Sequence, residues 1–270
     1  DVSVEAECFG SQIVVSEDEV PTVKGSIVSD LEDVEKLQIP PVGAGRTDIY
    51  IDAVRKAVEK IHDRPVFAGM IGPYSLAGRL LDVTEIMFYC YDEPEMVALL
   101  LDKVTEFLIS YGKAYKETGA NGIMLAEPLA GLLSPALAEE FSAPYVKRIV
   151  DALQDDNFLV IYHNCGNCTI QMIDSILDTG AAAYHFGNAI DMAEMMKHIP
   201  ADTIAMGNID PAGQFRNGTP ESIRTATLEL MEKCCSYPNF VISSGCDIPP
   251  MSKWENIDAL FQAVSDFYGK

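Results

Sequence analysis

No run of about 18 apolar residues occurs in the chain, so a membrane-spanning helix is not expected, although 48% of its 270 residues are hydrophobic. That apolar content calls for a sizeable globular core. Positive charge is scarce: 19 Lys and Arg stand against 41 Asp and Glu, a formal charge of -22. The few cations do not gather into a stripe that would track a phosphate backbone, which argues against nucleic acid as a partner. The acidity reads as a solvated surface, with a docking face for a basic partner as the alternative; neither names a substrate.

A glycine-rich dinucleotide fingerprint is missing, and so are a signal-like positive n-region and apolar h-region. Seven cysteines show no evident pairing scheme, which in a chain of this size points to a reducing compartment, with the cytoplasm as the expected location. The chain opens on Asp1 rather than on an initiator methionine, so an N-terminal portion is expected to precede it. The absence of a targeting segment therefore carries little weight.

What is present is an alternation. Short apolar stretches, several rich in β-branched residues, recur at Val66 to Ile71, Gly122 to Ala126, Phe158 to Tyr162, Ala181 to Tyr184, Thr203 to Met206 and Phe240 to Ile242. Segments with helical spacing lie between them, such as Ile49, Ala53, Val54, Ala57, Val58 and Ile61, or Val97, Leu100, Leu101, Val104 and Leu108. Thr219-Pro220-Glu221 and Ser134-Pro135 supply a capping hydroxyl ahead of a proline suited to the first helical position. Strands apolar almost throughout are those of a parallel sheet covered on both faces, so the chain reads as an α/β protein.

An open doubly wound sheet and a closed (β/α)8 barrel of the triosephosphate isomerase type compete. The missing fingerprint weakens the first. The barrel is favoured because Gly72-Pro73-Tyr74, Glu127-Pro128, His163-Asn164-Cys165-Gly166, His185-Phe186-Gly187-Asn188, Asn208-Ile209-Asp210-Pro211 and Ser244-Gly245-Cys246-Asp247 all follow strand ends, where barrel active sites lie. Six units are clear, two short of a regular barrel, which again implies a missing N-terminal part of one single domain spanning 1–270. Residues 1–47, with acidic clusters and Pro21, Pro40 and Pro41, read as a surface excursion preceding the clear units.

His163 and Cys165, two apart in extended backbone, point to the same face and can share one metal. Cys246, at another strand end, would converge on the same barrel mouth. Two thiolates and an imidazole suit tetrahedral Zn²⁺ and leave a fourth position open, as catalytic sites do. Cys168, at CxxC spacing from Cys165, is the competitor that would close the site into a structural one, but it falls where the next helix should begin and would point away from the mouth. The bland alternative is buried free cysteines and an ordinary core or surface histidine.

The segments VSVEAECFG (Val2 to Gly10), GPYSLA (Gly72 to Ala77), EPLAGLLSP (Glu127 to Pro135), HNCG (His163 to Gly166), GNIDP (Gly207 to Pro211), GTPE (Gly218 to Glu221) and GCDIP (Gly245 to Pro249) resemble the uroporphyrinogen decarboxylase superfamily over nearly the whole chain. The His-x-Cys followed much later by Cys resembles the zinc signature of its methylcobalamin:coenzyme M methyltransferase branch. Decarboxylases of the family carry a His where this chain has Cys246, and a Tyr where it has Arg79. The resemblance implies a (β/α)8 barrel entered within its second unit. It also implies a zinc-dependent transfer of a methyl group from a methylated corrinoid, delivered by a corrinoid protein, to a small thiol such as coenzyme M.

In that setting, His163, Cys165 and Cys246 would be the zinc ligands. Glu127 would be a temporary fourth ligand or a proton acceptor, or else a carboxylate that orders a loop, with Glu5 and Glu7 as weaker candidates for the same pocket. His185 would donate a hydrogen bond to substrate or corrinoid, or bond a neighbouring loop. Asn208 and Asp210 would shape the pocket or the turn at Pro211. Tyr74 and Arg79 would bind an anionic tail of the thiol. A tetrapyrrole decarboxylase and a non-catalytic corrinoid- or tetrapyrrole-binding barrel are the rival readings, and a homodimer stays open.

Overall fold

The computed structural model describes residues 1–17 and 19–269. An antiparallel hairpin, β1 (Gln12–Val14) and β2 (Thr22–Lys24), precedes a parallel sheet of β3 (Phe67–Ile71), β4 (Gly122–Ala126), β5 (Leu159–Asn164), β6 (Ala183–Phe186), β7 (Ile204–Ile209) and β8 (Phe240–Ser244). The six strands pair in the order in which they occur, β3 to β8, without the reversal that marks a doubly wound sheet. This is the winding of a (β/α) barrel, and among the described residues β3 and β8 are not paired, so the arc stays open between them.

The helices are α1 (Val4–Cys8), α2 (Leu31–Lys36), α3 (Thr47–Lys60), α4 (Pro73–Leu81), α5 (Val83–Asp92), α6 (Pro94–Glu117), α7 (Pro135–Phe141), α8 (Ala143–Leu153), α9 (Ile173–Leu177), α10 (Met192–Met195), α11 (Pro220–Cys234) and α12 (Trp254–Phe267). The capping signals act as expected. Ser134 Oγ accepts from Leu137 N at the start of α7, and Thr219 Oγ1 from Ser222 N at the start of α11.

Helix α6 illustrates how periodicity makes the outer layer. Val97, Leu100, Leu101, Val104, Leu108, Tyr111 and Tyr115 fall at spacings of three and four, and all are buried, against α4 and α8 among others. Full burial of each large apolar side chain stabilises by about 1.5–3 kcal/mol, so this face far outweighs the intrinsic helix propensity of the segment. No helix among the described residues is long and apolar enough to cross a membrane.

Two features depart from the sequence reading. Residues 1–11 do not run over the surface: Val4, Glu5 and Ala6 are buried, and Glu5 Oε1 accepts from the backbone N–H of Ile71 on the unpaired edge of β3. Arg46 holds the segment in place through Asp1, Ser3 and Glu7. The reason is that the buried backbone N–H of Ile71 needs an acceptor, which Glu5 of the VEAE segment supplies. The hairpin beyond it is largely exposed. The second departure is strand length. Strand β5 runs to Asn164 and β6 to Phe186, so His163 and His185 belong to strands rather than to the loops after them.

Candidate metal centre

Parallel register sets the site. Ala126 on β4, His163 on β5 and His185 on β6 are successive cross-strand partners, and in a parallel sheet such partners face the same side. All three line one cavity of about 450 Å³, so that side is the barrel interior at its mouth. The remaining wall comes from Val2, Met124 and Pro128, and from Ser243, Ser244, Cys246, Asp247 and Ile248 at the end of β8.

His163, Cys165 and Cys246 come together there, their donor atoms all within 4.8 Å of one another. Cys246 Sγ lies 3.5 Å from His163 Nε2. Tetrahedral zinc, with bonds of about 2.3 Å to sulfur and about 2.05 Å to nitrogen, separates the two donors by about 3.5 Å, so the spacing fits a zinc ion. The thiols also suit a cation. The Cys165 thiol and His163 hold Cys246 well below the usual thiol range, while Cys165, in the same contact and partly buried, is pushed up and keeps its proton. The pair thus shares one proton that a divalent metal would displace.

His185 is tied to the same centre. Its Nε2 lies 2.8 Å from Ser244 O and 3.2 Å from Ser243 Oγ, and its Nδ1 lies 2.8 Å from His163 Nδ1. Burial first, then the neighbouring His163, pushes His185 down to about 4, so it is neutral at ordinary pH. A carbonyl accepts only, so Nε2 of His185 carries the hydrogen and donates to Ser244 O. Nδ1 of His185 is then an acceptor, and His163 Nδ1 donates to it. This chain leaves the lone pair of His163 on Nε2, the nitrogen beside Cys246. Paired histidines on neighbouring strands were a signal the sequence contained, since His163 and His185 each end an apolar run, but register could not be read from one chain.

Glu127 is fully buried just below the mouth, with both oxygens engaged. Oε1 accepts from Tyr74 N at 2.9 Å, and Oε2 from Ser75 N at 3.1 Å and Ser75 Oγ at 2.8 Å. The carboxyl caps the first turn of α4 and joins β4 to it, which is the loop-ordering arrangement. Gly72 is needed for this contact, because a Cβ there would sit 2.2 Å from the Glu127 side chain. Burial pushes Glu127 up to about 7 despite the three donors. Cys168 Sγ lies 3.4 Å from Asn167 Oδ1 and is not part of the donor cluster.

A family model described as uroporphyrinogen decarboxylase matches residues 1–267. The chain belongs to the uroporphyrinogen decarboxylase family. It is 29% identical over 272 residues to the methylcobamide:CoM methyltransferase MtbA of Methanosarcina acetivorans, covering 99% of this chain and 78% of the relative. It is 26% identical over 279 residues to a uroporphyrinogen decarboxylase of Coxiella burnetii, covering 99% and 75%. A solved methyltransferase structure from Methanosarcina mazei superposes with a TM-score of 0.89 at 26% identity, over 99% of this chain and 79% of that one. The family thus includes both methyltransferases and decarboxylases at comparable distance, and the residues at the mouth must discriminate.

Four expected substrate contacts lie elsewhere. Tyr74 is fully buried, with its hydroxyl 3.7 Å from Cys90 Sγ and its phenol pushed up by burial. Arg79, half-way down α4, is pushed down by burial and attracted to Glu5, and neither lines the cavity. Asn208 Nδ2 donates to the carbonyls of Gly187 and Ile190, and Asp210 Oδ1 accepts from Ala212 and Gly213. Those two order the β6 and β7 loops and line a separate, shallow depression. Ser243 and the apolar wall were not singled out in the sequence, since nothing in their spacing marks them, and Asp247 was named there only within the strand-end segment that carries Cys246.

Proposed function

We propose that this protein is a zinc-dependent methyltransferase that moves a methyl group from a methylated corrinoid, carried by a partner protein, to a thiol. The observation that carries the reading is a three-donor centre of His163, Cys165 and Cys246 opening on a cavity, with neither Cys168 nor Glu127 placed to close it. His163, Cys165 and Cys246 would hold the zinc. When bound, zinc supplies a Lewis acid that deprotonates an incoming thiol near neutral pH.

The chain's own residues set the stage. His185 fixes the tautomer that offers His163 Nε2, and the two cysteines give up their shared proton. The apolar wall lowers the number of waters competing for the thiol and orients it toward the mouth, where the methyl carbon would arrive. In the transfer, the sulfur lone pair forms the S–C bond while the cobalt–carbon pair stays on cobalt. All seven cysteines are unpaired, which leaves Cys165 and Cys246 free to serve as thiolate ligands. The similarity to proteins named methylcobamide:CoM methyltransferase supports the corrinoid partner.

The decarboxylase alternative rests on the Coxiella relative. It needs cations to hold substrate carboxylates, whereas the groups gathered at this mouth are two thiols and an imidazole. Metal analysis of the purified protein with a methylcobalamin-to-thiol assay separates the two. One zinc per chain, lost together with methyl transfer in Cys246→Ser, is the expected result; metal-free protein that turns over porphyrinogen refutes the proposal.

A further inference from the structure

Strand β5 turns its residues alternately to the two sides of the sheet, so His163 faces the cavity at the mouth while Tyr162 and Asn164 face the helices outside it. Asn164 is buried, and both ends of its amide are used. Its Nδ2 donates to Tyr162 Oη at 3.1 Å, and its Oδ1 accepts from the backbone N–H of Gly166 at 2.9 Å. The second bond closes an Asx turn whose middle residue is Cys165. Thr169 Oγ1 braces the same turn, 2.6 Å from Gly166 O and 3.1 Å from Asn164 Oδ1. Backbone from the neighbouring loops walls the turn in on both sides. A Cβ on Gly166 would meet Gly131 Cα at 2.3 Å, and a Cβ on Gly187 would meet Cys165 Cα at 2.5 Å. The carbonyl of Asn164 also accepts from Gly187 N at 3.0 Å.

His163 needs no such device, because the pairing of β5 with β4 and β6 fixes its backbone. Cys165 follows the last residue of the strand, so its place rests on the turn. A metal binds most tightly to donors that are already in position, since ordering a loop on binding costs affinity. We propose, resting on the metal-centre reading above, that Asn164 is the positioning residue for Cys165, holding that thiol toward His163 and Cys246 from the opposite face of the strand before any metal arrives. Take away the amide oxygen and the Gly166 N–H loses its acceptor, the turn regains backbone freedom, and the sulfur at its corner moves with it. Residues 163 to 165 thus form one unit: two donors that face the mouth and, between them, the side chain that anchors the second donor from behind.

The test titrates the full chain with Co²⁺ against a competing chelator and reads both the affinity and the sulfur-to-cobalt absorption per bound ion, which reports how many thiolates bind. Asn164→Ala is expected to bind cobalt about 10- to 100-fold more weakly than the parent, with the absorption per bound ion reduced toward that of Cys165→Ser. Asn164→Ser, whose hydroxyl closes the same kind of turn more weakly, is expected to fall between the two, and Thr169→Val to weaken binding in the same direction. Tyr162→Phe separates this role from packing. It removes the partner of Asn164 Nδ2 in the same buried region but leaves the Asx turn, so it is expected to lose stability and to keep cobalt affinity within about two-fold. A folded Asn164→Ala variant with parental affinity and absorption overturns the inference, and so does an equal loss of affinity in Tyr162→Phe, which makes packing the cause. If Asn164→Ala does not fold, Asn164→Ser and Thr169→Val carry the comparison, and parental binding in both overturns the inference. A parent chain that gives no sulfur-to-cobalt band refutes the metal centre itself, and the inference with it; a parent with the full band and unaffected Asn164 variants refutes the inference alone.

Discussion

Replacing His185 by alanine removes the acceptor that holds His163 in the tautomer offering Nε2 to the proposed metal. In the intact protein the hydrogen bonds run from Ser244 O through both ring nitrogens of His185 to His163 Nδ1, each link 2.8 Å long. Without the ring, His163 Nδ1 keeps only the backbone carbonyl of residue 185 at 3.2 Å, a longer contact, and the imidazole gains freedom to turn away from Cys246. Losing one such outer partner costs about 10- to 100-fold in metal affinity, which is about 1.4–2.7 kcal/mol. Competition of the purified variant for zinc against a chromophoric chelator at pH 7 measures this directly, with far-ultraviolet circular dichroism as the check on folding. His185→Gln, whose amide oxygen can accept from His163, is expected to recover part of the loss. A folded His185→Ala variant that binds zinc within two-fold of the parent refutes the argument, because the backbone carbonyl alone would then suffice to orient His163.

Three further outcomes follow from the same geometry. Zinc content measured by atomic absorption is expected to stay at one per chain in Cys168→Ser and to fall below one-tenth in Cys165→Ser and Cys246→Ser; retained zinc in either ligand variant contradicts the assigned donor set. Glu127 is pushed up from the ordinary 4.5 to about 7, chiefly by burial, so between those values the folded state holds more protons than the unfolded one. Stability is therefore highest below about pH 4.5 and falls as pH rises through about 7, by roughly 3 kcal/mol for this group at about 1.4 kcal/mol per pH unit. Chemical denaturation of metal-free protein between pH 5 and pH 8 should show that fall and a shallower one in Glu127→Gln, and an identical slope in the two proteins counts against it. Gly72→Ala pushes a methyl group into the Glu127 side chain and should destabilise by about 1–3 kcal/mol in the same assay.

The clustering of His163, Cys165 and Cys246 was legible in the sequence because it needs only two facts about barrels. Residues two apart in a strand share a face, which joins His163 to Cys165, and strand ends converge, which brings Cys246 to them across 80 residues of chain. The strands themselves could be read because apolar runs buried on both faces leave an unbroken signal. What could not be read was which way polar residues at the mouth turn. Glu127 follows the end of β4 as Cys246 follows that of β8, yet Glu127 faces the three donors at the start of α4, and only the position of that helix reveals them. Tyr74 sits on the same helix turn and is buried against Cys90 by the packing of α5, an interaction between two apolar faces that leaves no mark in local spacing. The VEAE segment misled for a related reason. Its acidic residues suggest solvent, but the backbone N–H of Ile71 on β3 takes the buried Glu5 as its acceptor, and that contact exists only in the folded sheet. Polar residues in a barrel are placed by whichever unsatisfied group they meet, so their roles follow from the assembled fold, whereas apolar residues and side chains paired by strand spacing carry their instructions in the chain.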